Sequence, residues 1–199
     1  MKVTVILGHP DTGSFNYAIA KAAVKALNEH GHSVTFHDLY REHFPPVLTA
    51  QEIPRDADLP RMISEHCAEI ALAEGIIIVH PNWWGQPPAI LKGWIDRVFR
   101  PGVAYEFVEG DSGEGVPNGS LKAKAALVFT TSNTPWEREQ AVFGDPLDTL
   151  WKNCVFALCG VNNFYRKNFG VVATSTPMQR QKWLEEAADI TKNYFPAIT

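Results

Sequence analysis

The chain has 199 residues, a net charge of −4 and 45% hydrophobic residues. These values exclude a disordered chain, because enough apolar side chains are present to form a core. Acidic residues outnumber basic ones by 22 to 18, which argues against non-specific binding to nucleic acid, since that requires a basic surface. No run of about 18 apolar residues occurs, so we expect no membrane-spanning segment.

The sequence contains three cysteines, Cys67, Cys154 and Cys159. An odd number without a CxxC motif argues against a disulfide framework and favours a reducing compartment. We therefore expect a cytoplasmic protein. Cys154 and Cys159 lie within apolar runs, and both are expected to be packed inside the protein.

Apolar runs and amphipathic patterns alternate in the first half of the chain. Runs rich in Val and Ile predict strands at residues 2–8, 33–38 and 76–80, because strands buried on both faces have continuous apolar sequences. Apolar residues at helical spacing predict helices at 14–30, 59–74 and 87–99. Pro87 and Pro88 suit the first turn of the third helix, where an amide has no helical partner.

The second half continues the same alternation after a long connection at 101–119. A fourth strand is predicted at 123–130, and a fifth within 162–173. Between them we predict a helix at 145–160, with Asp145 as its cap. The last helix begins at Thr176-Pro177-Met178-Gln179, a capping-box pattern with proline at the first helical position.

Five strands that alternate with five helices indicate an α/β protein with a parallel sheet covered on both faces. Right-handed crossovers then give a doubly wound, flavodoxin-like fold with strand order 2-1-3-4-5. We see no linker and expect residues 1–199 to form one domain. Ligands of such folds bind beyond the carboxyl ends of the strands, so the loops after strands 1, 3 and 4 are expected to form the site.

The loop after the first strand runs from His9 to Asn16 and has features of a phosphate site. It offers hydroxyl groups and the amides at the start of a helix, where the helix dipole favours an anion. It matches neither GxGxxG nor a P-loop. Ser14 is equally suited to be an ordinary helix cap. Because the loop has no Lys or Arg and contains Asp11, a phosphate would rest on backbone dipoles, hydroxyls and His9.

The other two loops contain groups suited to a flat polar ligand. The loop after strand 3 has the run Asn82-Trp83-Trp84-Gly85, whose tryptophans either belong to the core or form the wall of an aromatic site. The loop after strand 4 has the run Thr130-Thr131-Ser132-Asn133. Its amides and hydroxyls either bind the edge of a ring or form a plain turn.

Seven histidines raise the alternative of a metal-dependent hydrolase. His30 and His32 flank a helix stop, His37 follows on the second strand, and His66 lies in a helix. No spacing among them matches a known ligand pattern such as HExxH. We therefore expect scattered surface histidines and no metal site.

Three blocks of the chain carry a resemblance to a known family. The most specific block is Pro88-Ala89-Ile90-Leu91-Lys92-Gly93-Trp94 with Arg97-Val98-Phe99 and Ala104-Tyr105, the second is His9 with Ser14-Phe15-Asn16-Tyr17-Ala18, and the third is Thr130-Thr131. With these blocks the sequence resembles the NAD(P)H:quinone oxidoreductase family of DT-diaphorase-like flavodoxin-fold flavoproteins. The resemblance extends from Lys2 to about Tyr194.

The resemblance implies a tightly bound flavin, a homodimer, and two-electron reduction of a quinone-like acceptor by NADH or NADPH with ping-pong kinetics. The similarity is greatest to the FAD-binding branch, so we expect FAD rather than FMN. The implied flavin-phosphate residues are His9, Thr12, Ser14, Phe15 and Asn16. Those along the isoalloxazine are Asn82, Trp83, Trp84 and Gly85, and those at its pyrimidine edge are Thr130, Thr131, Ser132 and Asn133. Tyr105 and Phe107 would line the substrate pocket, under a lid formed by 101–119.

The sequence also departs from this family. The family's Thr-Thr-Gly-Gly is replaced by Thr130-Thr131-Ser132-Asn133, and Phe143 stands where DT-diaphorase has a histidine that manages charge on the flavin. No tyrosine stands near the position of its partner. Arg138 either stabilises an anionic flavin in their place or forms an exposed salt bridge, and we expect the salt bridge. An alternative function is a regulatory flavoprotein, because the family includes proteins that bind and control potassium-efflux systems.

Overall fold

The structure is a computed structural model that describes residues 1–107 and 118–197. Five strands form a parallel sheet in the order β2-β1-β3-β6-β7, and a separate antiparallel pair is formed by β4 and β5. The strands are β1 (Lys2–Leu7), β2 (Ser33–Asp38), β3 (Gly75–Pro81), β4 (Tyr105–Glu106), β5 (Asn118–Gly119), β6 (Ala126–Ser132) and β7 (Phe164–Gly170). The predicted α/β fold and the order 2-1-3-4-5 are confirmed.

Helices connect the strands of the main sheet, with a short 3-10 helix at Ala50–Glu52 in the loop after β2. The helices are α1 (Phe15–Glu29), α2 (Arg61–Leu72), α3 (Ala89–Val98), α4 (Trp136–Arg138, continued by a π-helical turn at Glu139–Phe143), α5 (Pro146–Thr149, continued by a π-helix at Leu150–Ala157) and α6 (Pro177–Tyr194). Ser14 caps α1 through its hydroxyl, which accepts from the Tyr17 amide, and Thr176 caps α6 in the same way.

Alternate residues of the sheet enter two cores, one on each face. On one face Ile6, Ile78 and Val128 pack against α2, α3 and α5. On the other face Val5 and Val79 pack against α1 and α6. Burial of the strands on both faces explains their continuous apolar sequences.

The carboxyl ends of β1, β3 and β6 lie side by side. Leu7 pairs with Val79, and Pro81 pairs with Thr131, so the loops that follow these three strands emerge at one edge of the sheet. The part of the chain that the structure describes contains no helix long and apolar enough to cross a membrane.

Several local expectations were wrong or incomplete. Cys154 is exposed, although Cys159 and Cys67 are buried as free thiols. Asp145 makes no side-chain cap for α5 and instead binds the buried guanidinium of Arg166. The strand predicted as the fourth is β6, which begins at Ala126, three residues later than predicted. The β4–β5 pair was not predicted, because two-residue strands leave no periodic signal, and residues 108–117 of the expected lid lie outside the described residues.

Candidate functional site

The loop after β1 is shaped by its own side chains. The Asp11 carboxylate accepts from the Gly13 amide at 2.8 Å, and the Asp11 amide donates to His9 Nδ1 at 3.1 Å. Burial lowers the pKa of His9, an effect larger than the opposing bond and charge of Asp11. His9 Nδ1 also lies 3.2 Å from the Asp11 carbonyl, so Asp11 occupies this nitrogen and His9 Nε2 is left to a ligand.

The first turn of α1 has one buried oxygen without a partner. Asn16 is only 3% exposed; its Nδ2 donates to Thr131 Oγ1 at 2.9 Å, and its Oδ1 makes no hydrogen bond to any residue that the structure describes. A buried unpaired acceptor costs free energy, so this atom is suited to a hydroxyl or amide of a ligand. The amides of Phe15 and Asn16 precede the first backbone bond of the helix, from Ala18 to Ser14, and suit an anion.

The loop after β3 forms a tight two-residue turn. Trp83 and Gln86 exchange both backbone hydrogen bonds at 3.0 Å, and the residues between them, Trp84 and Gly85, have φ values of 58° and 71°. The Trp84 side chain is fully exposed, at 101%. Asn82 Oδ1 accepts from the Gly85 amide at 2.9 Å, and Asn82 Nδ2 donates to Glu139 Oε1 at 3.0 Å.

A chain of hydrogen bonds fixes the loop after β6. Arg166 donates to Thr130 Oγ1, Thr130 donates to Asn168 Oδ1, and Asn168 Nδ2 donates to Ser132 Oγ, each within 3.1 Å. Ser132 then donates to the Thr134 carbonyl at 3.2 Å. Ser132 stands where the resembling family has glycine. Its hydroxyl is therefore engaged in hydrogen bonds within the protein.

The three loops enclose two adjoining cavities. The smaller, about 260 Å³, lies at the start of α1 and has no Lys, Arg, Asp or Glu among its lining residues. The larger, about 660 Å³, lies beside the Trp84 turn and the π-helical turn after α4. Asn82, Ser132 and Asn133 line both cavities, so the two cavities lie next to each other.

Most of the predicted site residues come together here, and a few do not. The smaller cavity brings together His9, Ser14, Phe15, Asn16, Asn82, Trp83, Thr131, Ser132 and Asn133, and the larger adds Trp84 and Gly85. Thr12 and Thr130 line neither cavity; Thr130 is fully buried. Phe15 also packs edge-on against Phe169.

The two residues predicted for the substrate pocket lie elsewhere in this chain. Tyr105 is partly buried against the core and contacts Phe107 edge-on at 5.7 Å between ring centroids. Burial raises the pKa of Tyr105. Neither residue lines the two cavities, and their role in a substrate pocket stays a prediction. Arg138 lies 5.8 Å from the centroid of the Phe143 ring, a cation–π contact where we expected a salt bridge.

Sequence reasoning missed several residues of the site, among them Glu139, Val172 and Ala173. Glu139 is a nearly buried residue, 3% exposed, that lines the larger cavity. No local motif identifies it, because it sits in a polar segment between strands. Val172 and Ala173 line the smaller cavity, where the Ala173 amide donates to Asn133 Oδ1 at 2.9 Å. They follow β7, whose loop was not expected to reach the site.

The histidines are less scattered than their spacing indicates. His37 and His66 lie 4.0 Å apart between ring centroids and share Glu42 as an ion-pair partner; together these three residues form a group with the composition of a metal site. Trp94 Nε1, which can only donate, bonds to His66 Nδ1 at 3.0 Å. His66 therefore carries its proton on Nε2, the atom that would have to bind the metal.

Charge interactions hold this cluster together. Both ring nitrogens of His37 face carboxylates, of Glu42 and Glu69. Burial by itself lowers the pKa of His37, but the bonds and charges of these two carboxylates outweigh it and raise the pKa. Burial likewise favours the neutral form of Glu42, yet the bonds from His37 and His66 lower its pKa to about 2.

Comparisons with known proteins agree with this fold. The family described as flavodoxin-like fold matches residues 1–193. A Haemophilus influenzae protein named uncharacterized NAD(P)H oxidoreductase is 34% identical over 100% of this chain and 98% of its own length. Rat NAD(P)H dehydrogenase [quinone] 1 is 29% identical over 80% of this chain, which spans 65% of the rat protein. The structure of a Methanothermobacter marburgensis NAD(P)H:quinone oxidoreductase superposes with a TM-score of 0.84 at 25% identity, covering 100% of this chain and 99% of that one.

Proposed function

This chain belongs to the flavodoxin-like fold family, and from that premise we propose that it is a flavin-dependent NAD(P)H:quinone oxidoreductase. It transfers two electrons from NADH or NADPH through the flavin to a quinone-like acceptor. The names of the bacterial and archaeal relatives support the activity. The observation that carries the proposal is the pair of joined cavities at the carboxyl ends of β1, β3 and β6.

The proposed flavin is FAD, held with its phosphates at the start of α1. Bound there, it supplies hydride acceptance and donation, chemistry that amino-acid side chains do not provide. The Ser14 hydroxyl, the first amides of α1 and His9 Nε2 would hold the phosphates. Asn16 Oδ1, which lacks a partner within the protein, accepts from a hydroxyl of the ligand.

The remaining residues position the reactants and exclude water. Trp84, fully exposed on its turn, covers one side of the larger cavity, and Val142 and Phe143 line that cavity too. Backbone amides of residues 131–133 stabilise negative charge at the polar edge of the ring. No side-chain nucleophile is needed, and the reaction follows a ping-pong scheme because donor and acceptor use the same space in turn.

We further propose that residues 1–199 act as one domain, in a homodimer in the cytoplasm. Two cores that share one sheet support a single folding unit. Free cysteines support a reducing compartment, and burial raises the pKa of Cys67 to about 11 and of Cys159 to about 12. These two thiols are inert packing groups. The lid formed by residues 101–119 is part of the same proposal.

The test begins with the absorption spectrum of the purified protein. NADPH is then added without oxygen, and the flavin released by denaturation is identified by mass. Flavin bands that bleach within the mixing time, and parallel-line kinetics with NADPH and menadione, support the proposal. Intersecting lines contradict the ping-pong scheme. A bound flavin that bleaches only over many minutes favours a regulatory flavoprotein, and a protein that neither contains nor takes up flavin refutes both functions.

A further inference from the structure

The turn beside the larger cavity needs support from its surroundings. Trp84 has a φ of 58° and Gly85 one of 71°, so both residues are in the left-handed region. Glycine adopts this conformation readily, but a residue with a side chain does so only when neighbouring contacts impose it. The backbone bonds between Trp83 and Gln86 close the turn, and they leave the Gly85 amide to another partner.

Asn82 supplies that partner. Its Oδ1 accepts from the Gly85 amide at 2.9 Å, and its own backbone amide is fixed by the Thr131 carbonyl at 2.7 Å. An asparagine amide has an accepting and a donating end. If the side chain rotated by half a turn, its NH₂ group would face the Gly85 N–H, and the support would be lost.

Glu139 determines which end faces the turn. Its carboxylate accepts from Asn82 Nδ2 at 3.0 Å, and an ionised carboxylate can only accept. The Asn82 Oδ1 is thereby directed to Gly85. Because Glu139 is only 3% exposed, water competes little for this bond. The loop after β6 thus holds the loop after β3.

We infer that Glu139 is a positioning residue, whose carboxylate acts through Asn82 to hold the Trp84–Gly85 turn against both cavities. Its consequence for flavin binding rests on the proposed function, whereas the conformation of the turn does not. The turn then depends on an acceptor at the position of the Glu139 side chain and not on its negative charge. Glutamine at this site retains an acceptor for Asn82 without the charge, and alanine removes both.

The experiment measures amide hydrogen exchange and flavin affinity in four variants. Exchange is followed in the apoprotein over residues 82–86, four of whose five amides are bonded in the turn. The variants are Glu139→Gln, Glu139→Ala, Asn82→Ala and the double variant that combines Glu139→Ala with Asn82→Ala. The matched control is Glu137→Ala, which removes an exposed carboxylate from the same helical segment. Exchange of β1 reports whether each variant is folded.

We expect flavin affinity to fall when residue 139 no longer offers an acceptor to Asn82. Glu139→Ala accelerates exchange at residues 82–86 and weakens flavin binding about tenfold, since it leaves the half-buried Nδ2 donor of Asn82 without its carboxylate partner. Glu139→Gln and Glu137→Ala stay within about twofold of the wild type, which is less than the effect of losing one hydrogen bond. Because Glu139 acts through Asn82, the double variant binds flavin no more weakly than Asn82→Ala.

Two results would overturn the inference. Unchanged exchange in a folded Glu139→Ala protein means that the turn does not depend on this carboxylate. Equal losses in the glutamine and alanine variants mean that charge, not position, is what Glu139 contributes. If the wild-type protein binds no flavin, the proposed function fails, and the exchange measurement still decides whether Glu139 holds the turn.

Discussion

Replacement of Asn16 by leucine is expected to leave the stability of the apoprotein nearly unchanged and to lower its affinity for flavin. Leucine has nearly the shape of asparagine and carries no polar atoms. In the apoprotein it removes an Oδ1 that is buried without a partner, and it also removes the bond from Nδ2 to Thr131. These two changes have opposite signs, and their magnitudes can be compared.

An unpaired buried acceptor costs about 1–3 kcal/mol, whereas a typical hydrogen bond contributes about 0.5–1.5 kcal/mol to stability. The substitution also leaves the buried Thr131 hydroxyl without its partner, which costs about as much as the removed acceptor did. The two effects nearly cancel, so the free energy of unfolding changes by less than about 1 kcal/mol and Tm by less than about 2–4 °C. In the flavin complex the variant leaves a ligand hydroxyl without its acceptor, and we expect binding to weaken about tenfold, or about 1.4 kcal/mol.

The assay combines thermal unfolding of the flavin-free protein with a titration in which flavin is added to the apoprotein. Asn28→Leu is the matched control, because Asn28 lies on the exposed side of the same helix and should leave flavin affinity unchanged. A fall of several degrees in the Tm of the apoprotein, together with unchanged flavin affinity, would refute the assignment of Asn16 Oδ1 to the ligand.

Three other substitutions test the site and the histidine cluster. Ser14→Ala removes the α1 cap and should lower the free energy of unfolding by about 1 kcal/mol and weaken flavin binding; unfolding in urea and flavin titration measure both, and an unchanged affinity contradicts the phosphate assignment. Gly85→Ala should lower Tm more than Gly31→Ala does, because both have positive φ but only Gly85 lacks space for a Cβ; equal losses would contradict this packing. The pKa of Glu42 is lowered to about 2 and that of His37 is raised, so their stabilisation is lost as pH falls from about 4.5 towards 2 and also as pH rises through the folded pKa of His37. Glu42→Gln should flatten the acid part of the profile of Tm against pH, and a variant as steep as the wild type would contradict the cluster.

The order of the main sheet was predictable because each buried strand carries its own signal. The Ile76–Val79 run is apolar throughout, and α1 has both a cap at Ser14 and a periodic apolar face. The strand order in turn predicted where the site lies, since parallel strands bring their carboxyl ends to one edge. The loops after strands 1, 3 and 4 do meet there.

What could not be predicted depends on partners that are distant in sequence. Asp145 has the position and chemistry of a helix cap, yet Arg166, 21 residues later, takes its carboxylate. His37 and His66 are brought together across the α2 face by Glu42. Local patterns contain no information on such contacts, because each residue is compatible with several roles until the chain is folded.

The two cavities also differ in their electrostatics, and the difference gives the site a direction. The smaller cavity lies at the start of α1, where the helix dipole and free amides favour negative charge, and none of its lining residues is charged. The larger cavity has the Glu139 carboxylate in its wall. The anionic end of a ligand is thus favoured at the α1 end of the site. In the proposed site, dipoles rather than salt bridges bind the anion, so Lys and Arg are not needed in this loop.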